Sequence, residues 1–268
     1  MKSAITVLRE QIEAFYLVRR LSLYELKSQN NNNYLGMLWE LLNPGIQIAI
    51  YWFVFGYAIR GNDRAVGDIA FFPWLLVGLI VWFFVNPSIT QGSKSIYSRI
   101  KVIAKMSFPL SVIPTYVIFS RLYSHLLLLA ISIIMLQFLG FPVSIYYLQL
   151  PYFIFATLAL LVSISILTSA LATIVRDVQM IVQSLMRMLL YLTPILWERD
   201  LPGIAGLLIK LNPFYYLVEG YRASLLYEEW LIFERWEFTL YFWGVVLFIF
   251  LIGSSVHVKF RRHFVDYL

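Results

Sequence analysis

The chain has 268 residues, of which 60% are hydrophobic, 18% aromatic and only 13% charged, whereas soluble domains carry about 25% charged residues. It holds 21 Lys and Arg against 15 Asp and Glu, with no cysteine and three histidines. This composition excludes an ordinary soluble domain, a disulfide scaffold and thiol or cysteine-metal chemistry, and the scattered His125, His257 and His263 suggest no bound metal.

Residues 1–34 read as a cytoplasmic interface helix followed by a linker. Ile5, Leu8, Ile12, Phe15 and Val18 recur at helical spacing, while Arg9, Glu13 and Arg20 lie on another face. That is the pattern of a helix lying on a membrane surface, with a soluble helix packed on a partner as the alternative. Arg9, Glu10, Glu13, Arg19, Arg20 and Lys27 interrupt any apolar stretch, so a cleaved signal peptide is not expected. The run Asn30 to Asn33 has poor helix propensity and should break or re-cap the chain before Tyr34.

Residues 35–268 form a transmembrane domain. Its apolar runs reach or approach the roughly 20 residues that cross about 30 Å of hydrocarbon as helix, and no alternating strand pattern points to a barrel. Six crossings are expected, at about Leu35 to Ile59, Ile69 to Ile89, Phe108 to Leu139, Leu150 to Val175, Met180 to Trp197 and Phe238 to Val258. Asn43, Pro44 and Gly45 suggest a kink or a short preceding segment in the first. The third exceeds one bilayer thickness and should tilt, bend or project. The fold class is thus an all-α integral membrane protein with six transmembrane helices, an N-terminal amphipathic interface helix and an outer re-entrant helical hairpin.

Charge assigns the sides, since Lys and Arg accumulate in short cytoplasmic loops. Residues 1–34 carry five Lys/Arg, residues 91–108 carry four and residues 259–268 carry three, all on one side of a six-crossing chain. The opposite side holds 60–70, where Arg60 and Arg64 balance Asp63 and Asp68, and 198–237, with four basic and seven acidic residues. Both termini are therefore expected in the cytoplasm, with anionic lipid rather than nucleic acid as the partner of the positive charge.

Within residues 94–105, Ile96, Ile100 and Ile103 are spaced i, i+4, i+7 among Lys94, Arg99, Lys101 and Lys105. This reads as a short amphipathic helix able to seat in a groove of a partner protein or to lie on lipid headgroups. Inside the crossings, Arg121 and His125 stand one turn apart, and Arg187 shares a face with Ser184, Tyr191 and Pro194. Intramembrane charge is costly and usually faces protein or water. These cations suit a path for a phosphate-bearing substrate, or static pairing with Glu40 or a carbonyl. Tyr51, Phe55, Phe83, Phe84 and Tyr191 sit deep enough to offer flat faces and hydroxyls to saccharide, although bundle packing accounts for such residues equally.

The outer interval 198–237 is too polar to cross and too apolar to wander in solvent. Leu201, Ile204, Leu207, Leu208 and Leu211 read as a short amphipathic helix broken at Asn212-Pro213, after which Phe214 to Leu226 resumes with Glu219 and Arg222 spaced to pair.

Several of these segments carry a resemblance. Tyr24-Glu25-Leu26-Lys27-Ser28, the asparagines to Asn33 and Tyr34-Leu35-Gly36-Met37-Leu38-Trp39-Glu40-Leu41-Leu42-Asn43-Pro44 resemble the opening of type 2 ABC exporter permeases for cell-surface polysaccharides. Lys105 to Pro109, Arg176-Asp177-Val178, Tyr191 to Trp197 and Asn212-Pro213-Phe214 through Arg222 are similar to later segments of that family. The asparagine run with Gln47 and Tyr51 most resembles the wall teichoic acid, TarG-type branch. The resemblance implies a homodimer in the bacterial cytoplasmic membrane, joined to two separate ATP-binding subunits (TarH-like) that bind ATP and Mg. It implies export of a polyol-phosphate polymer linked to undecaprenyl diphosphate. The family's interface helix and loop helix contact the ATPase, so Lys94, Ile96, Arg99, Ile100, Lys101, Ile103 and Lys105 are coupling candidates. Arg187, Arg121, His125, Tyr51 and Tyr191 are path candidates, and Asn212, Pro213, Glu219 and Arg222 mark the outer re-entrant region. No G-x-x-x-x-G-K-[ST] motif occurs, so ATP is expected to be hydrolysed on another chain and this one to be non-catalytic. O-antigen or capsular glycan export, or a membrane scaffold without transport, are the alternative functions.

Overall fold

A computed structural model of the chain describes residues 2–30, 34–59, 65–99, 108–197, 203–261 and 264. The N-terminal region is two helices, α1 (Lys2–Glu13) and α2 (Phe15–Asn30), separated at Ala14. A 3-10 turn at Gly36–Leu38 leads into α3 (Trp39–Tyr51), which continues as π-helical turns through Trp52–Ile59. A two-residue hairpin then pairs Ala65 with Ala70 and Val66 with Ile69, turning at Gly67 with φ +58°. This small antiparallel ladder, β1 (Ala65–Val66) and β2 (Ile69–Ala70), is the one departure from all-α structure among the described residues.

The long helices are α4 (Phe71–Lys94), α5 (Val112–Phe138), α6 (Leu150–Ile174) and α11 (Trp236–Phe260). Shorter ones are α7 (Asp177–Leu192), α8 (Gly203–Lys210), α9 (Pro213–Arg222) and α10 (Leu231–Glu234). Five helical stretches among the described residues are long and apolar enough to cross a membrane: Gly36–Ile59, Phe71–Lys94, Val112–Phe138, Ile145–Ile174 and Trp236–Phe260. The chain is a multi-pass, all-α membrane protein.

The expected fifth crossing begins earlier and ends sooner than its apolar run, as the 16-residue α7. At 1.5 Å per residue it measures about 24 Å, short of the roughly 30 Å of hydrocarbon. Its neighbours nonetheless run end to end along α4: Gln179 accepts a hydrogen bond from Tyr97, just beyond the C-terminus of α4, and Pro194 shares Arg222 with Trp74 near its N-terminus.

α4 is the central helix. Of its most apolar stretch 78% is buried, against 11% for Gly36–Ile59, because α3 touches the bundle along one edge while α4 is enclosed by α5, α6, α7 and α9. Trp74, Leu75, Val77, Leu79 and Ile80 have no exposed surface. At the end carrying α2, a second apolar cluster gathers Val18, Ile96, Val112, Ile113, Val117, Ala170 and Phe264. α1 and α2 thereby dock onto the ends of α5 and α11, so this region is bound to the bundle. Ile5, Leu8, Ile12 and Phe15 remain exposed on the same helices.

Small residues set the closest helix approaches, as expected where van der Waals packing drives association in lipid. A Cβ on Gly220 would lie 2.1 Å from Cε1 of Phe153, whose ring has no exposed surface. A Cβ on Gly244 would meet nothing within 4 Å. Gly220→Ala should therefore destabilise the folded chain by about 1–3 kcal/mol through overpacking, while Gly244→Ala leaves it unchanged or slightly more stable. Thermal unfolding of the two variants in the same detergent checks this, and an unaltered Gly220→Ala midpoint would refute the packing argument.

Candidate functional site

At the α2 end a cleft of about 900 Å³ opens between α2, α3, α4 and α5. Arg121 of α5 is its organising cation. Its Nε and Nη2 donate to Oε1 of Gln91 on α4 at 3.0 and 2.9 Å, Nη1 lies 3.4 Å from Oε1 of Glu40 on α3, and Nη2 also donates to Gln29 on α2. One guanidinium thus joins four helices, using the planar fork of donors that distinguishes arginine from lysine. Arg121 thus makes the ion pair with Glu40 that the sequence offered beside a path role. Beside it, Arg99 pairs with Glu25, which also accepts from Gln29 at 2.9 Å.

His125 closes the cleft one turn further along α5. Its ring stacks on Phe84 at 4.6 Å between centroids, and Nε2 is 3.0 Å from the hydroxyl of Tyr221. At 3% exposure it is a packed link between α4, α5 and α9 as well as a lining residue. The remaining polar wall comes from Asn43 and Gln47 on α3 and Asn86 on α4.

At the opposite end sits a buried cation. Arg222 has no exposed surface, and its Nη1 donates to the Pro194 carbonyl at 2.7 Å and to Oε1 of Glu219 at 2.9 Å. Its Nε donates to the Trp74 carbonyl at 3.3 Å, and the guanidinium carbon lies 3.6 Å above the Trp74 ring. Gly78 makes room for it, since a Cβ there would come within 2.7 Å of Nη2. Asn212 caps α9 by accepting from the Phe214 amide at 3.0 Å while donating to Thr193 Oγ1 at 2.9 Å, and Pro213 occupies the first helical position, where its missing N–H costs nothing. The i, i+3 pairing of Glu219 with Arg222 agrees with their spacing; the carbonyls and indole around Arg222 were not visible in sequence.

Of the other candidates, Arg187, Tyr51 and Tyr191 do not line the cleft. Arg187 is exposed on α7, with Ser184 Oγ at 3.4 Å. Tyr51 on α3 is half-buried and Tyr191 on α7 is exposed. Lys94 lines the cleft, Arg99 is held by Glu25, and Ile96 has no exposed surface, so of these described residues it is the apolar one that faces inward. Burial pushes the neighbouring Tyr97 hydroxyl above its usual range, against the opposing pull of Arg176. Ile100, Lys101, Ile103 and Lys105 lie outside the described residues. Sequence reasoning missed Glu25, Gln29, Asn86 and Gln91 as a group; the available signal was polar residues one turn apart, as in Glu25/Gln29 on α2 and Asn43/Gln47 on the largely apolar α3.

A family described as ABC-2 type transporter matches residues 16–226. The chain belongs to the ABC-2 type transporter family. Permeases of this family generally work with a partner ATPase and often as dimers. The chain is 27% identical over 228 residues to the O-antigen export system permease protein RfbA of Myxococcus xanthus, covering 84% of this chain and 85% of that one. It is 26% identical over 246 residues to the permease of the same name from Klebsiella pneumoniae, covering 91% and 92%. The family match takes in α2 through α9, and so both the cleft and the Arg222 site.

Removing one member of a buried ion pair is far more costly than removing both. Arg222→Met should destabilise the protein by about 3 kcal/mol or more, and Arg222→Met combined with Glu219→Gln should recover part of that loss. Denaturation of the three proteins in one detergent tests the expectation; a double variant no more stable than the single one would show that the pair is not the source of the effect.

Proposed function

We propose that this chain is the membrane subunit of an ABC exporter that carries a lipid-linked cell-surface polysaccharide across the bacterial cytoplasmic membrane, with ATP hydrolysed on a separate subunit. The observation that carries this reading is the similarity to O-antigen export permeases along 84–91% of the chain. An O-antigen or capsular type of glycan is therefore favoured over wall teichoic acid, whose support is the asparagine run to Asn33 with Gln47 and Tyr51.

In this reading residues 1–34 and 35–268 are an interface unit and a six-crossing permease domain, with α7 as the remaining, shortened crossing. The ends holding α1, α2 and Arg99 face the cytoplasm, in keeping with the Lys/Arg distribution, and α8 with α9 forms the outer re-entrant hairpin. Two copies assemble with two ATP-binding subunits, which engage α1, α2 and the 94–105 segment. The sparsely buried faces of α3 and α7, carrying Tyr51, Tyr191 and Arg187, are offered to the second copy and to the path between copies. Deleting the gene should abolish the surface glycan and leave its lipid-linked precursor inside. The permease should also co-purify with an ATPase whose turnover rises with that precursor; normal surface glycan in the deletion strain would refute the proposal.

Arg187 separates path from packing. An exposed guanidinium at this site contributes little to stability, so Arg187→Met should fold and bind the ATPase normally yet export several-fold more slowly. Arg187→Lys should retain more activity, because a phosphate in the path would still meet a positive charge. Export is measured per folded permease, and equal rates for all three proteins would reject the path role.

A further inference from the structure

The cleft between α2, α3, α4 and α5 carries more hydrogen-bonding capacity than its own walls use. Asn43 and Gln47 stand one turn apart on α3, and Asn86 faces the same cavity from α4. Among the described residues none of these three side chains makes a hydrogen bond. Within the apolar stretches that α3 and α4 supply to the membrane, an amide without a partner costs free energy, so such groups are expected to meet water or a polar ligand.

The charges of the cleft do not define a strong anion trap. Arg99 and Arg121 are offset by Glu25 and Glu40, to which they are paired, and Lys94 leaves a single net positive charge. What remains is a nearly neutral, amide-rich cavity walled partly by Trp39 and Phe83. An amide both donates and accepts, which matches adjacent hydroxyl groups, and an aromatic face covers the C–H face of a sugar ring. The volume of about 900 Å³ lies within the range of small-molecule pockets.

We infer that this cleft is a carbohydrate-binding site, which holds the carrier-proximal sugars of the lipid-linked substrate before they are moved. The inference rests on the export reading above and adds to it a specificity: the cleft reads sugar hydroxyls, not the diphosphate. Asn43, Gln47 and Asn86 are its ligand-contacting residues. Arg121 positions the walls through Gln29, Glu40 and Gln91.

The test uses the full-length permease with its ATPase in nanodiscs and two probes, a short prenyl diphosphate bearing one N-acetylhexosamine and the same prenyl diphosphate without sugar. The sugar-bearing probe should bind wild type about tenfold tighter or more, the difference that two or three amide hydrogen bonds produce. Combined Asn43→Ala, Gln47→Ala and Asn86→Ala should erase that preference and leave binding of the sugarless probe unchanged. Gln47→Leu alone, at an exposed position, should reduce the preference several-fold, which keeps the test decisive if the triple variant fails to fold. Equal binding of the two probes to wild type, or a preference untouched by Gln47→Leu, would overturn the inference. A permease that exports glycan in cells but shows no sugar preference sinks the cleft alone; a deletion strain with normal surface glycan sinks the export reading whatever binds in the nanodisc.

Discussion

A guanidinium with no exposed surface must draw its hydrogen bonds from protein, and around Arg222 that requirement holds three helical segments in place. The carbonyl of Trp74 comes from α4, that of Pro194 from just beyond α7, and the carboxylate of Glu219 from one turn earlier on α9. Nη2 already has no hydrogen-bond partner, so none of these oxygens could move without depriving a buried charge of one of its few partners, a penalty of several kcal/mol. The end of α7 is therefore fixed against the start of α4 although α7 is too short to be secured by apolar length, and α9 is pinned deep enough for Phe214 to reach Trp82 and Tyr221 to reach His125. The packing of His125, and with it the closed end of the polar cleft, depends on where Arg222 holds α9.

Arg121 meets the same requirement by a different solution. It is about 15% exposed, so water shares the cost of its charge, and its protein partners are a carboxylate and two amides on long side chains. A flexible, partly hydrated set of partners can rearrange at lower cost than a set of backbone carbonyls. The two arginines thus mark a rigid end and an adaptable end of one bundle, with α4 running between them.

Much of the helical architecture was legible because lipid leaves little choice: apolar runs near 20 residues form helices, and the observed limits of α5, α6 and α11 fall within a few residues of the apolar runs. The caps were legible as well, since Asn212-Pro213 has one physical reading. The limits of α7 were not, because after the break at Val175 and Arg176 the helix resumes at Asp177, ahead of the apolar run, while Thr193 and Pro194 end it inside that run. Nor was the cleft. Asn43 and Gln47 suggested a kink or a branch resemblance, and only the approach of α4 and α5 makes a cavity of them. Long-range polar partners such as Gln29 for Arg121 or Pro194 for Arg222 leave no periodic trace in the chain.

The distribution of unmet polarity bears on how such a bundle handles its cargo. Arg222 commits Nε and Nη1 to the fold, and His125 commits its ring face to Phe84 and Nε2 to Tyr221, so that one buried nitrogen on each, Nη2 and Nδ1, is left without a hydrogen bond. Arg187, by contrast, stands exposed on α7, and Asn43, Gln47 and Asn86 retain donors and acceptors that no described residue takes up. Residues committed to holding helices together occupy the core around α4, whereas residues with spare capacity lie on α3, on α7 and on the wall that α4 turns toward α3. α3 and α7 are also the least buried of these helices. A molecule too large to enclose would have to be met at such surfaces, because an interior packed as tightly as that around Gly220 and Phe153 has no room to admit it.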